Sequence, residues 1–172
     1  MSDTPFLPAG TPAPHFTVTA IQTGRVFRLA DYAGRPVILI FAGYEVAGTV
    51  AEVHRALRRE YPATSQVVTA TVVDLRQVPR LLRGTAERLM GVAYQQAARE
   101  IPAGLDPADY LALLPDWGGK LFAAYRVPGG SRRLALVMID AAGVVAHSYQ
   151  GPDPAGALLA HMPRLLPPEP NG

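Results

Sequence analysis

The chain has 172 residues, 49% of them hydrophobic and 17% charged, with a net charge of +2 and no cysteine. This length suits one domain, which can bury enough surface to fold without a disulfide or a metal. A cysteine-free chain has no disulfide, no zinc–thiolate or iron–sulfur site, no c-type haem attachment and no cysteine nucleophile.

Fifteen of the sixteen basic residues are arginine, and Lys120 is the single lysine. They form no long run and few aromatics lie between them, so nucleic acid is not an expected partner. The opening Met1-Ser2-Asp3-Thr4-Pro5 has neither a charged n-region nor an apolar h-region, so no signal peptide is expected. No apolar run approaches the ~18 residues of a membrane span, so no membrane partner is expected either. The expectation is a soluble cytoplasmic protein.

Prolines at 5, 8, 12 and 14 mark residues 1–14 as an extended N-terminal arm. A single domain is expected over 15–163, followed by a disordered tail over 164–172. Phe16, Val18 and Ala20 alternate with threonines, which is strand periodicity. Thr23-Gly24 turns into a second short strand, Arg25 to Leu29. Val37 to Phe41 is apolar without alternation, as in a strand buried on both faces. Residues 43–48 read as the loop after it. Val46, Val50, Val53, Leu57 and Tyr61 then follow at spacings of 4, 3, 4 and 4, one face of a helix that Pro62 ends. Val67 to Val73 is a second interior strand, completing a right-handed βαβ unit.

Residues 75–115 are expected to be mainly helical, with an insertion over about 76–114. Leu89, Val92, Ala93 and Ala97 share helical spacing. Asp106-Pro107 reads as an N-cap followed by a first-turn proline. Residues 115–119 break the pattern, and Lys120 to Tyr125 makes a short helix. Leu134 to Ile139 is a third core strand, joined by a hairpin turn at 140–143 to Val144–Ser148. Asp153-Pro154 opens a last helix to about Met162.

Several local sequences resemble the thioredoxin-like redoxin family, which groups thiol-disulfide oxidoreductases with peroxiredoxins of the alkyl hydroperoxide reductase type. Pro12-Ala13-Pro14-His15-Phe16-Thr17-Val18 looks like the family's opening. Leu29-Ala30-Asp31-Tyr32-Ala33-Gly34-Arg35-Pro36-Val37-Ile38-Leu39 is similar to its L-x-D-x-x-G-K-x-V-V-L. Leu114 to Gly119 with Tyr125-Arg126-Val127, and Val137 to Val145, resemble two further stretches. The resemblance runs from about residue 8 to 162. It implies an α/β, thioredoxin-like fold: a central mixed sheet flanked by helices, with an N-terminal β extension and a helical insertion.

Where the family reads F-W-A-x-W-C-x-x-C-x-x-E, this chain reads Phe41-Ala42-Gly43-Tyr44-Glu45-Val46-Ala47-Gly48-Thr49-Val50-Ala51-Glu52. The alignment puts Val46 at the first cysteine and Thr49 at the second. Leu134 stands where thioredoxins carry a cis-proline and many peroxiredoxins an arginine; Arg133 is one residue away. Disulfide exchange needs a thiolate that attacks and is regenerated. Valine and threonine supply none, so no catalytic residue is assigned. The candidate binding residues are Gly43, Tyr44, Glu45, Thr49, Arg133 and Leu134.

Four other patterns stand out. Gly43 to Thr49 mimics a phosphate loop but lacks its lysine. The four histidines, His15, His54, His147 and His161, show no metal-ligand spacing, so no metal or other cofactor is expected. Arg76, Arg80 and Arg83 are spaced to share a helix face, although Pro79 interrupts it. Tyr94, Tyr110 and Trp117 suit a pocket wall or the core.

Three functions follow. The first is a redox-inactive member binding a protein partner or small ligand at the former active-site surface. The second is a cysteine-independent enzyme, such as a glutathione-dependent transferase using the Tyr44 or Thr49 hydroxyl. The third is a structural subunit, with low charge and high apolar content favouring a homodimer or larger assembly through the second helical region.

Overall fold

A computed structural model of the chain describes residues 6–43, 46–128 and 133–166. Five strands form the central sheet in the order β5-β4-β3-β6-β7: β3 Val37–Ala42, β4 Val68–Asp74, β5 Leu113–Asp116, β6 Ala135–Ile139 and β7 Val145–Tyr149. β3, β4 and β5 run parallel, while β6 and β7 add antiparallel neighbours. A separate hairpin, β1 Thr17–Thr19 with β2 Val26–Arg28, precedes them. The helices are α1 Ala47–Glu60, α2 Arg83–Ala98, α3 Pro107–Tyr110, α4 Lys120–Ala124 and α5 Pro154–Leu165.

The unbroken apolar run of β3 follows from burial on both faces, since every residue of the strand is buried. Val37, Leu39 and Phe41 join Phe27, Leu114, Phe122 and Tyr125 on one side. Ile38, Ile40 and Ala42 join Val53 and Leu57 of α1 and Leu158 and Met162 of α5 on the other. Strand pleating thus divides one run between two cores. Asp140 closes the β6–β7 turn by accepting from the amides of Ala142 and Val144, each at 3.0 Å. Asp106 and Asp153 cap α3 and α5, each ahead of a proline.

The region expected to be mainly helical holds an additional strand. β5 pairs with β4 from Thr71↔Leu113 to Asp74↔Asp116. Its proline, Pro115, is tolerated because β5 lies at the sheet edge, where a missing N–H breaks no ladder. α2 also presents a different face from the one its leucine and valine spacing predicts. Met90, Gly91 and Tyr94 are buried, while Leu89 and Val92 lie in solvent. Gly91 matters here: a Cβ at this position would overlap the Gln22 side chain. Arg76, Arg80 and Arg83 do not share a helix face, because Arg80 starts a 3-10 turn and only Arg83 belongs to α2. α5 continues to Leu165, beyond the Met162 at which the sequence pattern ends it.

Candidate functional site

The parallel strands bring their C-terminal ends to one edge of the sheet, where α/β proteins commonly place ligand sites. Ala42 of β3 is level with Val73 of β4, and Phe41 is level with Ala135 at the start of β6. Gly43, Asp74, Asp116 and Leu134 therefore gather at the same end. Tyr44 and Glu45 lie outside the described residues.

Gly43 ends β3, and its carbonyl accepts the Val46 amide at 3.3 Å. Helix α1 begins at Ala47, so Gly48 is helical and not part of a phosphate-type loop. Val46 is the N-cap residue. It contributes no side-chain cap, and no acidic residue occupies the first turn. Among the described residues, the N-cap and first-turn side chains thus leave the positive end of the α1 dipole to the backbone amides. Thr49 is half-buried in that first turn.

The two apolar substitutions go inward. Val46 and Leu134 are 9% and 1% exposed and belong to the same apolar cluster between the sheet, α1 and α5. Val46 and Leu134 therefore form a greasy plug under this end of the sheet. Arg133 is exposed beside them, and its carbonyl accepts from Gln150 Nε2 at 3.1 Å.

A charged pair at this edge escaped the sequence reading. Asp74, at the end of β4, holds Arg76 through both carboxylate oxygens, with Nε at 2.9 Å and Nη2 at 2.7 Å. The Arg76 head also lies 5.2 Å from the centre of the Phe122 ring. The Asp74 hydrogen bond raises the Arg76 pKa further, so this cation is permanent. An acid closing a strand and an arginine two positions later is the signal that would have found it. Asp116 is buried, and its Oδ2 accepts from the Leu121 and Phe122 amides, each at 3.0 Å. It therefore anchors the start of α4.

The remaining candidates separate. Arg83 covers the Trp117 ring at 4.8 Å, and Trp117 packs against the small Val73–Leu75–Met90 cluster. Tyr110 lies under Arg58 instead, at 5.1 Å, and Tyr94 is buried. His147 and His161 meet edge to face with ring centres 3.8 Å apart. Their separation in sequence hides this pairing between β7 and α5. Among the described residues, no cluster of three histidine or acidic side chains is placed to hold a metal ion. Two open grooves of about 420 and 410 Å³ run beside α2, and neither is lined by Gly43, Val46, Thr49 or Leu134.

No protein-family model matches the chain, and no curated protein matches it in sequence. Solved structures do match in shape. The exposed lipoprotein thioredoxin of Streptococcus pneumoniae is 22% identical with a TM-score of 0.64, covering 88% of this chain and 100% of its own. A thiol:disulfide interchange protein of Chlorobium tepidum is 16% identical with a TM-score of 0.62, covering 94% and 99%. A secreted disulfide oxidoreductase of Mycobacterium tuberculosis is 19% identical with a TM-score of 0.56, covering 87% and 96%. Likeness at these identities establishes architecture and not chemistry. Together with the sheet order and the paired apolar cores, it identifies the chain as a thioredoxin-like fold that carries no cysteine.

Proposed function

We propose that the protein is a redox-inactive thioredoxin-like binding protein. Its recognition surface is the sheet edge formed by Gly43, the first turn of α1 with Thr49, and the Arg133–Leu134 segment. The observation that carries this reading is the fate of the dithiol positions. Val46 is withdrawn into the core, while Thr49 remains at a helix start that its N-cap residue, Val46, does not cap with a side chain. Such a start offers backbone donors and positive potential without a nucleophile, and the exposed Arg133 has the same sign. A carboxylate-bearing segment of a protein, or a small anionic ligand, matches that chemistry. Catalysis of thiol exchange is not part of this function, since the chain has no thiol to cycle.

The test is a photo-crosslinking amino acid placed at Thr49 and, separately, at Ser65, which follows the far end of α1. Crosslinking in the native host should give a discrete adduct from position 49 and none from 65. Equal patterns from both positions, or none from either, would reject the site.

A further inference from the structure

Helix α2 is apolar on two sides. Met90, Gly91 and Tyr94 face the molecule, whereas Leu89 is 67% exposed and Val92 57%. Leu82 continues this outer stripe at 51%, and Leu81 beside it is 97% exposed. Exposed apolar surface forgoes about 25 cal/mol per Å² that burial would return.

We propose that this outer face of α2 packs against the same face of a second copy of the chain. The two helices lie antiparallel across a two-fold axis between Leu89 and Val92. Leu82, Thr85, Leu89, Val92, Gln96 and Arg99 follow one another at spacings of 3, 4, 3, 4 and 3, the seam of a helix pair. A two-fold interface must complement itself, and this one does. Leu89 meets Val92 of the second copy, and the reverse. Thr85 meets Gln96, two groups able to hydrogen-bond. Leu82 meets the aliphatic stem of Arg99. On one flank Arg88 falls beside Gln95, so no like charges are opposed. On the other, Ala86 falls beside Ala93, and these small side chains let the helices approach.

The area sets the strength. A 16-residue helix is about 24 Å long. One face of that length supplies less than the roughly 800 Å² per partner typical of a stable interface. Leu81 and the groove wall at Gln22 add flanking contacts. The dimer is therefore one that dissociates on dilution, not a permanent one.

Sedimentation of the full chain from about 1 to 200 µM tests this. The mass should climb from one 18.3 kDa subunit toward two. Leu89→Gln with Val92→Gln should weaken association at least tenfold, to roughly the level of background contacts, with an unchanged melting temperature. Because the chain has no cysteine of its own, Ala86→Cys and Ala93→Cys supply a second readout. Mixed, the two single variants should form a disulfide-linked dimer; each alone should form little. Within one chain these positions lie about 10 Å apart along the helix, beyond disulfide reach. A wild-type mass of one subunit at the highest concentration would overturn the proposal. So would a dimer indifferent to the glutamine pair, as expected if another surface holds it. Each cysteine variant linking to itself as readily as to the other would indicate parallel helices and overturn it equally.

Discussion

The Tyr125 hydroxyl donates to the Pro14 carbonyl at 2.6 Å, tying the N-terminal arm to the turn after α4. Tyr125 is fully buried, and Phe16 and Phe41 pack against its ring. Tyr125→Phe keeps the ring and leaves the carbonyl without this donor, at a cost of about 1 kcal/mol. The melting temperature should fall by about 3 °C. Burial also raises the Tyr125 pKa above its ordinary value. The unfolded chain then releases this proton first, so stability should decline above about pH 10. An unchanged melting point in Tyr125→Phe would show that other contacts hold the arm.

His54 makes the fold sensitive to acid. Burial, aided by the nearby Arg58 charge, pushes its pKa down to about 4. Between this value and the ordinary 6.5 the unfolded chain binds the extra proton, so stability is full above about pH 6.5 and falls as pH drops toward 4. His54 as a residue is only half-buried, so the loss is about 2 kcal/mol and not the full shift at about 1.4 kcal/mol per unit. His54→Gln should flatten urea-unfolding midpoints over this range. A slope equal to that of the wild type would assign the acid sensitivity to other groups.

Arg58 closes the far end of α1. Its Nη1 donates to the carbonyls of Tyr61, Ala63 and Val67 at 3.3, 3.3 and 3.2 Å, while its head lies over the Tyr110 ring. Arg58→Met keeps the stem and loses the donors, so about 2 kcal/mol of stability should go. Arg58→Lys should restore only part of it, because a shorter side chain ending in an ammonium cannot lie flat over the Tyr110 ring as the planar guanidinium does. Equal unfolding midpoints for wild type and methionine variant would make the network ornamental.

Restoring thiols tests the alignment at α1. Val46→Cys with Thr49→Cys places sulfurs at the N-cap and in the first turn, three residues apart, where Cβ atoms are about 5–6 Å apart and a small relaxation permits a bond. The helix start should lower the thiol pKa below its usual value of about 8.5. Mild oxidant should give an intramolecular disulfide, read as a mass loss of about 2 Da and lost alkylation. Two freely alkylated thiols in a folded variant would remove positions 46 and 49 from the dithiol site.

Legibility in the sequence followed burial. Val37 to Phe41 and Leu134 to Ile139 were recognisable because both faces are covered, which leaves uninterrupted apolar runs. Asp106 and Asp153 marked helix starts because capping is local chemistry. β5 was missed because four residues containing Pro115 look like a break; it is a strand only through its pairing with β4. The orientation of α2 was misjudged for a related reason. Leu89 and Val92 dominate its apolar pattern, yet the inward-facing residues are Met90, Gly91 and Tyr94. At the candidate site a linear pattern does not say that Val46 and Leu134 share one buried cluster, because they meet only when β6 pairs with β3. The Asp74–Arg76 fork carries a local signal, an acid at a strand end with an arginine two positions on, but nothing in a linear pattern says that strands β3 and β4 end level and bring it to the candidate site.

The proline in β5 also limits what can attach to the sheet. In a parallel edge strand, alternate residues turn their backbone groups outward, here Leu113 and Pro115. Leu113 has its carbonyl occupied by the Ile21 amide at 2.9 Å. Pro115 has no N–H to offer. The margin beside β5 thus lacks the row of free donors and acceptors on which a foreign strand templates itself. Cross-β growth and strand donation are discouraged along this border, so contacts with other molecules there must be made by side chains.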